Sequence, residues 1–429
     1  MKLVKMSLLA ATLIASSAFA AEPAADKGAY DGPSNIKIEG DAKLYYSTSD
    51  DKANSLFNKN GAFGQAAASV SFSADLTEGI SAGSKITALS TLGLEGQLVN
   101  NVWEGTNGVS DSFIVNELWL AGTIGKTTGK IGRMPLDTPL VFTETWSIVE
   151  NTFEAAVLIN QDIPDTTLVG AYVGGSNGQL IGATAGPIAG VGMANVVQGA
   201  ASGTTFNQFY NGAYTAGIVN NSWEPLTAQA WYYDATSIAQ AYWIQADLNL
   251  AGILLGGQYT GTDLQDSGLT QDAGTAYAVM AGYEMKDTFT AKIAYSGTSE
   301  DAGAGGNLAG SGQSKLYTSA WWNSQIVATE DTTAINVTVT TPEELTYVGL
   351  GLYATQVTVG ENGTGADRYM DLLEVTLEAS KSFGPLDTSL VYIYIDAEDQ
   401  NRDTNAAGIP IVGTGSGYNT VQAYLTYNF

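Results

Sequence analysis

Strict two-residue alternation is the feature that most limits what this chain can fold into. Ile36, Ile38, Ala42, Leu44 and Tyr46 occupy every second position of one segment, and Lys37, Glu39, Asp41 and Lys43 lie between them. A β-strand sends two such sets to opposite faces. The pattern recurs: Ala68, Val70, Phe72, Ala74 and Leu76 oppose Ser69, Ser71, Ser73 and Asp75, and Ile114, Leu118 and Leu120 flank Glu117. Far downstream, Leu373, Val375, Leu377 and Ala379 alternate with Glu374, Thr376 and Glu378. One face of each strand needs water, and the other needs apolar surroundings.

The first twenty residues have another purpose. Lys2 and Lys5 form a basic start, Ser7 to Ile14 a short apolar stretch, and Ala18-Phe19-Ala20 a small-x-small cleavage site. This is an export signal, residues 1–20, cut after Ala20. Residues 21–33 then read as a periplasmic lead, and 34–429 as the folded domain. Nowhere else does the chain approach the roughly 20 consecutive apolar residues of a membrane helix. A closed barrel crosses a bilayer without such a run, because its strands satisfy one another's backbone groups. A mean hydropathy of +0.02 is therefore compatible with membrane insertion.

Short connections alternate with long ones. Thr77–Gly79, Lys126–Gly129, Asp162–Asp165, Leu250–Gly252, Lys286–Thr288 and Phe383–Leu386 read as tight turns. Thr48–Gly61, Leu92–Asp111, Gly174–Thr205, Gly297–Ser314 and Glu398–Gly417 are long and rich in Gly, Asn, Asp and Ser. Outer-membrane barrels carry short periplasmic turns, long outer loops and an even number of strands. The predicted fold is thus an all-β transmembrane antiparallel barrel of about 18 strands.

The end of the chain agrees. Val421, Ala423, Leu425, Tyr427 and Phe429 take alternate positions of a strand that stops on an aromatic residue. In water that edge is a liability, whereas at a bilayer interface Tyr427 and Phe429 are anchors and an insertion signal for the outer-membrane assembly machinery.

Composition excludes several chemistries. The sequence has no Cys and no His, which removes disulfides, His-based triads and zinc-hydrolase sites. The formal charge is -26, a poor match for nucleic acid, and 45% hydrophobic residues in a regular pattern argue against disorder. No carboxylate pair stands out for Asp/Glu-only chemistry, so the chain does not read as an enzyme.

Three stretches then connect the chain with a known family. Asn116 to Leu120 (NELWL), Gly125-Lys126, and Lys130 to Pro139 (KIGRMPLDTP) resemble the two strands before the third loop of the major outer-membrane porins of Campylobacter and related bacteria. The start MKLVKMSLLA and the final Tyr-Asn-Phe are similar as well. Those porins are distant relatives of the amino-acid-specific porins of pseudomonads. The resemblance implies an 18-stranded barrel, usually a homotrimer, with its third loop folded into the lumen. The chain departs from the family in having few bases.

In such a channel, selectivity is set where charged side chains narrow the lumen. The expected constriction is Arg133 to Asn151, with Asp137, Glu144 and Glu150, joined by Glu117 and Glu154 from the adjacent strands. Pro135 and Pro139 stiffen the entry, and Phe142 and Trp146 are placed to pack the loop on the inner wall. No Lys or Arg occurs between Arg133 and Lys286. Basic partners must come from outside that span: Lys43, Lys85, Lys130 and Arg368 foremost, then Lys292, Lys315 and Lys381. An acid-rich lumen with low-dielectric walls concentrates cations.

Asp396, Glu398, Asp399 and Asp403 offer oxygen ligands of the type Ca²⁺ takes, without the spacing of an EF-hand loop. No other cofactor is expected. The expected partners are outer-membrane lipid and lipopolysaccharide, the assembly machinery, and small hydrophilic solutes and cations. A passive diffusion channel in the Gram-negative outer membrane is the leading expectation. A substrate-specific channel, for amino acids for instance, and a barrel-anchored surface adhesin are the alternatives.

Overall fold

The computed structural model describes residues 32–50, 54–94, 112–144, 148–177, 207–236, 239–264, 273–310, 313–360, 371–397 and 417–429. The proposed export signal, Arg368, Trp146 and the acids Glu398, Asp399 and Asp403 lie outside them.

Eighteen antiparallel strands form a single closed sheet. In chain order they are β1 (Ser34–Ser49), β2 (Ala62–Thr77), β3 (Ile80–Ser90), β4 (Ser112–Ile124), β5 (Thr127–Met134), β6 (Phe153–Asn160), β7 (Thr166–Ser176), β8 (Asn207–Trp223) and β9 (Leu226–Ala235). They continue as β10 (Ala239–Leu250), β11 (Ile253–Leu264), β12 (Gly274–Met285), β13 (Phe289–Thr298), β14 (Thr332–Thr341), β15 (Gly349–Val359), β16 (Asp371–Phe383), β17 (Leu386–Ala397) and β18 (Tyr418–Asn428). Each strand pairs with its neighbours in sequence, and β1 pairs with β18 to close the ring.

Turn chemistry at one end follows the residues. Ala251 and Gly252 both adopt positive φ, 51° and 89°, which suits a two-residue hairpin between β10 and β11. The expected turn at Lys126–Gly129 is tighter than its sequence suggested, since β5 already starts at Thr127. At the opposite end, the third loop (135–152) and the seventh loop (299–331) are the connections that matter for the interior.

Alternation now acquires a direction. Ile38, Val70, Ile86, Leu118, Ile131 and Leu158 are exposed and share the outward face, whereas Lys43, Lys85 and Lys130 take the opposite one. Seven tyrosines (Tyr172, Tyr214, Tyr232, Tyr242, Tyr259, Tyr277 and Tyr295) continue around the outward face of β7 to β13, several in tilted ring pairs. Such a belt is what an interface between lipid and water favours.

The inward face is less uniformly polar than alternation implies. Met134, Phe153, Val157, Trp231, Trp243, Ile393 and Ile395 point inward and are buried together with Leu140 and Leu316. The reason is that the third and seventh loops lie inside the barrel and cover them. A fully buried side chain of this size contributes about 1.5–3 kcal/mol, enough to hold a loop against water.

Candidate functional site

The third loop begins where β5 ends. Thr138 shapes a tight turn: its amide donates to Val141 O at 3.1 Å, and its hydroxyl donates to the same carbonyl at 2.7 Å. Thr143 N closes back on Leu136 O at 2.7 Å, so residues 136–143 form a small hairpin within the barrel. Leu140, Val141 and Phe142 are buried, and the Tyr233 hydroxyl of β9 accepts from Leu140 N at 3.3 Å. Phe142 was expected against the inner wall, but its contacts are with Asn307 and Lys315 of the seventh loop.

The seventh loop meets this hairpin from the other side. Leu308 N donates to Leu140 O at 2.8 Å, and Asn307 Nδ2 donates to Phe142 O at 2.8 Å. The Glu144 carboxylate accepts from Asn307 Nδ2 at 3.0 Å and Gln313 N at 3.1 Å. Glu144 is only 4% exposed and joins two loops, so it does not line a water path as sequence reasoning had it. Asp137 is likewise engaged, in an ion pair with Lys315 of the seventh loop. Burial lowers the Lys315 ammonium from its ordinary value, and Asp137 opposes that shift.

Sequence reasoning missed how deeply the seventh loop is anchored. Glu374, inward on β16, accepts from Trp322 N at 2.8 Å and from Asn323 N and Nδ2, each at 3.0 Å. Tyr317 donates to Asp247 of β10, and Ser296 of β13 bonds Thr318 at 2.6 Å. Asp247 and Glu374 both stand at inward positions of alternating strands; that was the available signal, but the partners lie 70 and 51 residues away.

On the wall of β1 to β5, where Ile148 and Val149 of the third loop pack beside Tyr45 and Ile114, charged side chains gather. Lys43 Nζ is 4.0 Å from Asp41 and 3.9 Å from Glu150, which reaches over from the third loop. Lys85 lies 3.7 Å from Asp41 and faces Glu117 in register. Glu117 accepts from Trp119 Nε1 at 3.2 Å, and Lys130 rests 4.1 Å above the Trp119 ring. Asp41, absent from the expected constriction, is thus shared by two lysines. Separations of 3.7–4.0 Å are ion pairs without a direct hydrogen bond.

Arg133 and Glu154 are placed elsewhere. They pair at 3.0 Å, and Arg133 Nη1 also donates to Val115 O at 2.8 Å. Arg133 is two residues beyond outward Ile131 and in register with outward Leu118, so this pair is on the outer surface of the barrel. The period of two decides it: Met134 and Phe153, the next residues along, take the inward positions. Asp396 is outward too, accepting from Tyr394 at 3.4 Å. Among the described residues, no three Asp or Glu side chains come together in a way that would hold a metal ion.

No known family model matches this sequence. No curated protein matches it either. Solved structures do. Pseudomonas aeruginosa OpdK, determined with vanillate, superimposes with a TM-score of 0.69 at 11% identity, over 93% of this chain and 99% of that one. OpdO of the same organism gives 0.66 at 12% identity, over 93% and 98%. OpdP gives 0.63 at 10% identity, over 94% and 93%. These likenesses span both chains almost from end to end, and the chain shares with them the closed 18-stranded barrel fold.

Proposed function

We propose that the protein is an outer-membrane channel for passive diffusion of ions and small hydrophilic solutes, with a preference for cations. The observation that carries this reading is the third loop inside a closed barrel, presenting Glu150 3.9 Å from Lys43 on a charged wall. The base-free span from Arg133 to Lys286 and the overall charge of -26 support the sign. Reversal potentials across planar bilayers in a KCl gradient test it. Cation selectivity that weakens in Glu150→Gln is expected, and a chloride preference in the parent protein refutes it. Glu144→Gln is expected to act differently, by loosening the two loops.

A second reading, a solute-selective channel, draws on the same wall. Lys43, Lys85 and Lys130 alternate with Asp41, Glu117 and Glu150, so a solute with both charges meets a partner for each. OpdK was solved with vanillate, an aromatic carboxylate. Solute competition during single-channel recording separates the two: block by one solute class at low concentration favours selectivity.

The tyrosine belt supports lipid contact along β7 to β13, while the outward face of β1 to β3 carries Gly40, Ala42, Ala66, Ala68 and Ala88. Small side chains there suit close approach of further copies, in line with a homotrimer. Native mass spectrometry in detergent checks this. Lipopolysaccharide and the assembly machinery are the remaining partners of this reading, the second through the Tyr427–Phe429 end.

A further inference from the structure

The Asp137–Lys315 ion pair joins the third loop to the seventh. Lys315 is fixed from behind: Gln258 of β11 donates to its carbonyl at 3.0 Å and accepts from Tyr317 N at 3.0 Å. Its side chain then reaches forward to the third loop. The ammonium donates to Asp137 and to Thr138 O at 3.1 Å, and lies 4.3 Å from the centre of the Phe142 ring. Only 17% of the Lys315 side chain and 26% of Asp137 remain accessible. Among the described residues, Asp137 is the one carboxylate that forms an ion pair with Lys315.

We infer that Lys315 is a positioning residue: its ion pair with Asp137 fixes the third loop to the barrel-anchored seventh loop and so determines where Glu150 stands opposite Lys43. The inference rests on the channel reading for its consequence, though not for its geometry. Charge is essential to it. Asparagine at position 137 has the shape of aspartate but leaves an ammonium without its counter-ion in an apolar junction, which is the costly way to break such a pair. Glutamate keeps the charge and changes the shape.

Two readouts follow from the sequence. The described part of the seventh loop contains one basic residue, so trypsin reports on the junction by cutting after Lys315. In folded, detergent-solubilised protein, Asp137→Asn is expected to be cut there roughly tenfold faster than the parent, because local opening controls access. Asp137→Glu is expected to resist as the parent does. In planar bilayers, Asp137→Asn is expected to show about twofold larger open-channel current noise, and Asp137→Glu the parent's quiet current. Lys315→Met removes the more buried charge and leaves Asp137, the more accessible partner, to water, so it folds where Asp137→Asn fails; it is read in the bilayer, with raised noise expected. Asp137→Asn protein that resists trypsin and conducts as quietly as the parent overturns the inference, as does unchanged noise in Lys315→Met. A parent that does not conduct refutes the channel reading instead, while the trypsin comparison still decides the latch.

Discussion

Replacing Glu374 by alanine is the sharpest test of how the seventh loop is held. Its carboxylate, 2% exposed, accepts from Trp322 N at 2.8 Å and from both nitrogens of Asn323 at 3.0 Å. Hydrogen bonds to a charged acceptor are worth about 1.5–3 kcal/mol each, so three of them amount to roughly 4–9 kcal/mol gross. Burying the carboxylate costs several kcal/mol in return, which leaves a net penalty for Glu374→Ala of about 2–4 kcal/mol. The loop is expected to relieve that penalty by parting from β16. Trp321, now packed 5.2 Å from the Tyr353 ring, would then move into water. The assay is tryptophan emission of the folded protein in detergent, together with its urea unfolding curve. A red shift and a lower midpoint are expected for Glu374→Ala, and an intermediate response for Glu374→Gln, which keeps one accepting oxygen. Emission and midpoint identical to the parent would show that the carboxylate does not anchor the loop.

Two shorter predictions concern the ends of the strands. A Cβ at Gly40 would lie 2.4 Å from the Phe429 ring and 2.8 Å from Ser69 O, so Gly40→Val is expected to cut the yield of closed barrel, seen as loss of the fast-migrating unheated band on a gel; adding Phe429→Ala should restore part of it. Between β14 and β15, Lys381 Nζ at 2.7 Å and the Ser382 amide at 3.0 Å hold the Glu343 carboxyl below its ordinary value of 4.5. A lowered carboxyl stabilises the fold above that ordinary value and stops doing so as pH falls through its folded one. The difference in unfolding midpoint between parent and Glu343→Gln should therefore be present at neutral pH, small because the site is exposed, and should vanish in strong acid.

The barrel was legible because alternation is local. Ile36 to Tyr46 and Leu373 to Ala379 state their two faces within a few residues, and turns such as Lys286–Thr288 announce themselves by composition. The interior was less legible, for the reason that period two says which face a residue takes and nothing about what covers that face. Val157 and Ile393 are inward and apolar only because two loops shield them. Arg133 and Glu154 sit beside the third loop in sequence, yet one step in the pleat puts them outside. The seventh loop was read as Gly297–Ser314 but runs on to residue 331, held by anchors on β10 and β16 that are remote in sequence. Lys43, Lys85 and Lys130 were named because basic partners had to come from outside the base-free span, and the pleat places all three on the inward face.

The seam between β1 and β18 has a consequence for the size of the ring itself. Slipping that pairing by two residues would leave every side chain facing the correct way, so alternation does not forbid it. Such a slip changes the stagger of the closed sheet, and with it the strand tilt and the bore. What selects one bore is a lock of a few atoms: Gly40 and Phe429 exchange backbone bonds of 2.7 and 2.9 Å, with the terminal ring lying where only a glycine leaves room. In the slipped registers the ring would meet Ile38 or Ala42 instead. Phe429, at the seam, thus gauges the diameter of the whole barrel.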